Sequence, residues 1–272
     1  MTPEAAAREL LDARASRRQV PTFSGRDAAF DLTTAYAVEA AARRFRAAEG
    51  HHPVGRKVGF ANKAVWRILN LETLVWAHMY DDTVHYAKDN RGTLSLSGMV
   101  SPKIEPEIVF KLKDDLKGNV EPAAALRAVD WMALGFEIID CPFPEWSFKP
   151  TDFVAAFGLH AAVVVGTPHK VDEASIPALI DELARFKVQL LQGDALVAEG
   201  SGRNVLRSPA LCLAELASAI SKRTDAEPLS AGELVSSGTL TDSQLIVEGE
   251  TWTARVSGLE LPALTIATSP AC

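Results

Sequence analysis

Cysteine is scarce: Cys141, Cys212 and Cys272 are the only three in 272 residues, and no two form a CxxC pair. An odd, widely spaced set of thiols builds neither a disulfide framework nor a thiolate zinc site, and it suits a reducing cytoplasm. Basic charge is also in short supply. Twenty-eight Lys and Arg stand against 35 Asp and Glu, a net charge of −7. That balance argues against a general binder of nucleic-acid phosphates, which needs a cationic surplus to release counterions. Long apolar runs are missing as well. The longest, "AAVVVG" at 161–166, falls far short of the roughly 20 residues of a membrane-spanning helix. The N-terminal stretch "MTPEAAARELLDARASRRQ" is charged throughout and does not read as a signal peptide. The expectation is a cytoplasmic protein with neither a membrane nor a nucleic-acid partner. A small anionic substrate is not excluded, because a bound metal or a few cationic side chains can reverse the field inside one cleft.

What is present is core-forming material: 47% of residues are hydrophobic, enough for one large domain. Thr2, Pro3 and Glu4 make a helix start, a hydroxyl cap followed by proline and an acid. This helix is predicted to about Ser16, and a second, alanine-rich one from about Leu32 to Ala48, ending at Gly50. From residue 53 the character changes. "VGRKVGF" (54–60), "TVHYA" through "SPKIEPEIVFKL", "MALGFEIID" (132–140) and "FGLHAAVVVG" (157–166) read as strands, and Gly193-Asp194 as a hairpin turn. Shorter helices are expected at "NKAVWRILNL" with Asn62 as cap, over Pro122–Val129, and after the Ser208 cap. The predicted class is α+β, with an N-terminal helical section at 1–52 and a strand-rich catalytic body at 53–272.

Within "KIEPEIVFKL" (103–112) two acids enter an otherwise apolar run. On a strand, the period of two puts Glu105 and Glu107 on one face, with Ile104, Pro106 and Ile108 on the other. Carboxylates held that close repel, so one stays protonated unless a cation lies between them. A hard divalent ion such as Mg2+ or Mn2+ is the natural neutraliser, since it takes oxygen ligands and keeps positions open for substrate. Glu137 in "ALGFEIID" has the same apolar setting and would complete a facial set of three. The plain alternative is that these acids face solvent, as charges on strands usually do. Lys57 in "GRKVGF" has glycines nearby that leave room for a bound carboxylate; alternatively it is an exposed lysine beside a turn.

Taken in order, "GRKVGF", "KIEPEIVF", "GFEIID", "AAFGLHAAVVVG" and "SSGTLT" resemble the 2-keto-4-pentenoate hydratase/4-oxalocrotonate decarboxylase family of the fumarylacetoacetate hydrolase superfamily. The resemblance runs from about residue 50 to the C-terminus. It implies a distorted, mixed β-barrel-like body holding one Mg2+ or Mn2+, with Glu105, Glu107 and Glu137 as metal ligands and Lys57 beside the substrate carboxylate. Ser237, Gly238 and Thr239 fall where the family places groups near the substrate. The chemistry implied is hydration of a 2-hydroxy-2,4-dienoate to a 4-hydroxy-2-oxo acid, as in aromatic meta-cleavage catabolism. The metal would act there as Lewis acid on the C2 oxygen. The resemblance also implies a closed homo-oligomer and allows a complex with a decarboxylase or aldolase partner.

The chain departs from the family pattern twice. Where family hydratases carry an acid in a P-D-x-G stretch, this chain has Val75 and Trp76, with Glu72, His78, Asp81 and Asp82 nearby as substitutes. Where relatives have Ser-Asp, it has Ala155-Ala156. His160 is then a candidate proton-transfer group, since imidazole titrates near neutrality; the alternative is a satisfied core histidine. The segment "DCPFPEWSFKPTDF" (140–153) reads as a loop at the mouth of the site, with Phe143, Trp146 and Phe148 covering an apolar substrate tail. Trp146 could equally serve as a loop anchor. Three other activities compete with the hydratase: a 4-oxalocrotonate-type decarboxylase, an acylpyruvate-type C–C hydrolase, and a metal-binding homologue that partners an active enzyme. The hydrolase is disfavoured because no E-x-x-H lid motif is found.

Overall fold

Thr2 starts the first helix, α1 (Pro3–Ala15), by accepting the Ala5 N–H at 3.2 Å. Asp31 does the same for α3 (Leu32–Ala48) through Thr34 N–H at 2.8 Å. Between them lies one turn, α2 (Phe23–Arg26). The facing surfaces of α1 and α3 bury small residues, among them Ala6, Ala7, Ala35 and Ala42, which lets the two helices pack closely. The computed structural model describes residues 1–269, so Cys272 lies outside the described residues, while Cys141 and Cys212 are buried free thiols.

The remaining helices are α4 (Lys63–Trp66), α5 (Pro122–Arg127), α6 (Pro150–Ala155), α7 (Ile176–Arg185) and α8 (Pro209–Ser221). The strands are β1 (Pro53–Gly59), β2 (Val75–Tyr80), β3 (Val84–Tyr86), β4 (Arg91–Ser95), β5 (Pro102–Leu112), β6 (Val129–Asp140) and β7 (His160–Val165). They continue with β8 (His169–Lys170), β9 (Lys187–Gln192), β10 (Ala195–Ser201), β11 (Leu234–Thr239), β12 (Gln244–Leu245), β13 (Thr251–Ser257) and β14 (Leu264–Ser269).

The larger sheet runs β2-β1-β11-β5-β6-β7-β3, with β12 added to β5 and β8 to β6. It is mixed: β1 with β11 and β3 with β7 are parallel, and the other pairs antiparallel. A second sheet runs β10-β9-β13-β14-β4. The long β5–β6 ribbon is the spine. On one face Ile104, Ile108, Phe110, Phe136 and Ile138 are fully buried, and on the other so are Glu107, Val109, Ala133 and Glu137, the pattern of strands covered on both faces. The fold is α+β, a strand-rich distorted half-barrel with helices.

Several local expectations change. Residues 157–159 are not strand: they form a tight turn with positive φ at Phe157, Gly158 and Leu159, and β7 begins at His160. An apolar run of this kind looks the same whether it enters a strand or a buried turn. The loop expected over 140–153 ends earlier, because Pro150 starts α6. The helix expected over Pro122–Val129 stops at Arg127, and Val129 already opens β6. The helix α7, with Ile176, Leu179 and Leu183 on its buried side, had no counterpart in the sequence reading. No helix among the described residues is long and apolar enough to cross a membrane.

Two ties hold the N-terminal helices to the sheet. The Arg14 guanidinium donates to the carbonyls of His160 (3.0 Å) and Ala161 (3.1 Å). Asp152 of α6, wholly buried, accepts from Ser24 N–H (2.9 Å), Ser24 Oγ–H (2.5 Å) and Lys149 N–H (3.0 Å). Asp152→Ala leaves three donors without their acceptor at a part-buried contact, a loss of about 2 kcal/mol. Urea unfolding of the variant checks this: the midpoint should fall with the m-value unchanged.

Candidate metal centre and cleft

The register of the spine builds the site. Glu105 on β5 stands directly opposite Glu137 on β6, and Glu107 pairs with Gly135. One carboxylate oxygen from each of Glu105, Glu107 and Glu137 can be chosen so that all three lie within 4.8 Å of one another. Glu107 and Glu137 are fully buried, and Glu105 is half-buried in the wall of a cleft. Burial, and then mutual repulsion, push Glu105 up to about 8. Glu107 rises to about 8 for the same reasons, despite its Ser236 and Gly238 donors, and Glu137 is raised by burial against the pull of Lys57. At that separation each like-charge pair costs about 3 to 4 kcal/mol in a medium of effective dielectric about 20.

Lys57 reaches the cluster from β1. Its Nζ donates to Gly158 O at 2.9 Å and lies 3.0 Å from Glu137 Oε2. Burial works against this ammonium, but the three carboxylates outweigh it and raise its pKa, so Lys57 is charged across the physiological range. Its channel depends on Gly158: a Cβ there would come within 2.8 Å of Lys57 Cδ and 2.9 Å of Ala77 Cβ.

The oxygens of the two buried acids are divided. Glu107 Oε2 accepts Ser236 Oγ–H at 2.5 Å and Gly238 N–H at 2.8 Å. A register shift in β11 between Ser236 and Thr239, with Gly238 at φ +104, turns that amide inward. Glu107 Oε1 is left buried without a hydrogen-bond partner. On Glu137, Oε1 meets His160 Nδ1 at 2.8 Å, while Oε2 has only the ionic contact with Lys57. Buried acceptors with no donor fit a cation, not a solvated face. A divalent ion held by Glu105, Glu107 and Glu137 would bring three carboxylates and one ammonium to neutrality. The residues fit such an ion.

The cleft beside this cluster has a volume of about 530 Å3. Its lining includes the rings of Phe60, Trp146, Phe148 and Phe153, with Phe60 edge-on to Phe153 at 5.1 Å. Asn62, Arg203, Asn204, Thr239 and Asp242 give it polar groups. Of the residues singled out in the sequence, Lys57, Glu105, Trp146, Phe148, Gly238 and Thr239 line the cleft, while Glu107 and Glu137 sit against its floor. Phe143 does not line it: the ring is fully buried in the core, 6.4 Å from Phe148. Ser237 is also buried outside it, its carbonyl taken by the Cys212 thiol at 3.0 Å.

His160 is placed behind Glu137, away from the cleft. Burial, reinforced by the Lys57 charge, lowers its pKa well below the usual imidazole value, so it is neutral, and Nε2 faces Thr83 Oγ at 2.9 Å. Trp76 is buried against Tyr36, and none of Glu72, His78, Asp81 and Asp82 lines the cleft. Ala155 and Ala156 are buried. Arg203, Asn204 and Asp242 also line the cleft. Segments distant in sequence bring them together, and no local pattern marks them.

A 2-hydroxyhexa-2,4-dienoate hydratase of Comamonas testosteroni is 28% identical over 257 residues, 94% of each chain. A 2-keto-4-pentenoate hydratase of Dechloromonas aromatica is 29% identical over 260 residues, 95% of each. A 4-oxalocrotonate decarboxylase of a Pseudomonas species is 28% identical over 235 residues, 86% of each chain, so the chain is similar to both hydratases and a decarboxylase. Among solved structures, 4-oxalocrotonate decarboxylase from Pseudomonas putida G7, complexed with magnesium and adipate, superposes with a TM-score of 0.88. It is 23% identical, with 98% of this chain and 97% of that one covered, a likeness of fold. No protein-family model matches the chain.

The raised carboxyls make ion binding a pH-linked event. With folded values above the ordinary one, the ion-free protein is most stable at low pH within this cluster's titration and loses that stability as pH rises through about 8. Calorimetry should therefore show the stabilisation by millimolar Mg2+ growing between roughly pH 6 and 8, with protons released on binding. A pH-independent ion effect would contradict it.

Proposed function

We propose that this protein is a divalent-metal-dependent hydratase that adds water to a 2-hydroxy-2,4-dienoate of the 2-keto-4-pentenoate type, giving a 4-hydroxy-2-oxo acid. The observation that carries the reading is a trio of carboxylates, two of them fully buried and carrying partnerless oxygens, set beside a buried ammonium at an open cleft. It is supported by hydratases among the relatives. Glu105, Glu107 and Glu137 hold Mg2+ or Mn2+, and the ion, when bound, supplies Lewis acidity for charge that develops on the substrate's C2 oxygen.

The protein's own groups do the rest. Lys57, fixed by Gly158 O and Glu137, stays an ammonium and neutralises the substrate carboxylate. Trp146 and Phe148 take the apolar tail and exclude water there. Net hydration places the water's hydroxyl at C4 and protons at C3 and C5, one supplied by the water and one balanced by loss of the C2 hydroxyl proton as the ketone forms. Of the described residues lining the cleft, Lys57, Glu105, Arg203 and Asp242 are the titratable ones. With Glu105 committed to the ion, Lys57 held as an ammonium and Arg203 always charged, proton handling falls to Asp242. His160 cannot serve the substrate directly from behind Glu137.

A second reading has one observation in its favour. A cleft with so few proton carriers suits decarboxylation, which needs an electron sink and no activated water. The reading also includes a cytoplasmic setting and a closed homo-oligomer.

Purified protein with Mg2+ or Mn2+ should convert 2-hydroxypenta-2,4-dienoate to 4-hydroxy-2-oxopentanoate, and a chelator should abolish turnover. Glu105→Gln and Lys57→Met should each lower kcat by about 10²–10³-fold, the usual loss when a charge-stabilising group is removed. CO2 release from 4-oxalocrotonate without hydration of the dienoate would shift the assignment to the decarboxylase.

A further inference from the structure

The imidazole of His160 is held on every side. Nδ1 lies 2.8 Å from Glu137 Oε1, and Nε2 lies 2.9 Å from Thr83 Oγ. Thr83 is itself fixed in the β2–β3 turn, where its Oγ accepts Tyr80 N–H at 3.1 Å. The backbone of His160 is clamped from the opposite direction by Arg14, through the carbonyls of His160 and Ala161. The ring is 3% exposed. Glu137 is thereby held with Oε1 toward the ring and Oε2 toward Lys57, 3.0 Å away. Glu107 is restrained in the same sense, because both Ser236 and Gly238 donate to its Oε2 and only Oε1 is left over.

A carboxylate pinned this way offers a cation one oxygen. Small ions such as Mg2+ demand near-octahedral single-oxygen ligands, whereas Ca2+ takes six to eight oxygens and readily accepts both from one carboxylate. We propose that His160 is a positioning residue that restricts Glu137 to single-oxygen coordination and so sets a preference for small octahedral ions over Ca2+. This role rests on the metal-site reading given above and adds to it a determinant of ion choice contributed from behind the ligand. It explains why a histidine stands in a dry strand start without access to the cleft.

The test is ion affinity, measured by titration calorimetry on the full chain with Mg2+, Mn2+ and Ca2+ separately. His160→Leu removes the donor and should weaken Mg2+ and Mn2+ by about tenfold or more, the usual loss when the partner of a metal ligand is deleted. Ca2+ should change much less, so the Mg2+/Ca2+ affinity ratio collapses. His160→Asn keeps an N–H near the Nδ1 position and should restore most of the ratio. A merely structural histidine would give no such rescue. An unchanged ratio in His160→Leu overturns the proposal. If that variant does not fold, Thr83→Val decides instead, since it frees the ring's far side: a narrowed ratio supports the role and an unaltered one overturns it. Failure of the unmodified protein to bind any of the three ions would overturn the metal reading itself, and this proposal with it.

Discussion

Electroneutrality of a dry carboxylate cluster is the constraint on which the architecture rests. Three acids on two adjacent strands, countered by one ammonium from a third, carry excess negative charge that a protein interior does not tolerate. Every neighbour that could relieve it has been recruited in part: a hydroxyl and an amide on Glu107, an imidazole on Glu137, an ammonium between. None of these removes the excess, and without an ion it is relieved by proton uptake on Glu105 and Glu107, both raised to about 8. The cluster is complete only with a dication, and the long β5–β6 ribbon supplies the rigidity that keeps the acids from relaxing apart in its absence.

The surrounding structure follows from keeping that ribbon dry. Its apolar side chains are buried, and the N-terminal helices are bound in by Arg14 and Asp152. The cleft divides its lining between aromatic rings and polar side chains. A substrate with an oxyanion end and a hydrocarbon tail matches that division, because the ionic end meets the cluster while the tail meets rings.

Much of this was legible in the chain. An acid pair inside "IEPEIVF" stands out because a strand period and an apolar context disagree with solvent exposure, and Glu137 repeats the anomaly. Lys57 was visible through its nearby glycines. What could not be read was register. Glu105 faces Glu137 only because two strands pair with one offset out of many, and His160 meets Glu137 across a further pair with a shift at Ile138–Ile139. The turn at Phe157–Leu159 was hidden for a related reason: hydrophobic residues at positive φ are held there by tertiary contacts, which leave no trace in local composition. Ser236, the hydroxyl that saturates one oxygen of Glu107, was passed over beside its neighbours 237–239 because only the bulge in β11 decides which of them points inward.

Gly158 carries a consequence for how this chain can change. Its missing side chain is the space through which the lysine stem passes, and its carbonyl is the lysine's anchor. Even alanine would collide with that stem at an already left-handed backbone position. Sequence drift is thus free to remodel the loops that meet the distal end of a ligand, but the floor admits no graded alteration. New substrates would be acquired from the rim inward, with the ionic end of the molecule conserved among them.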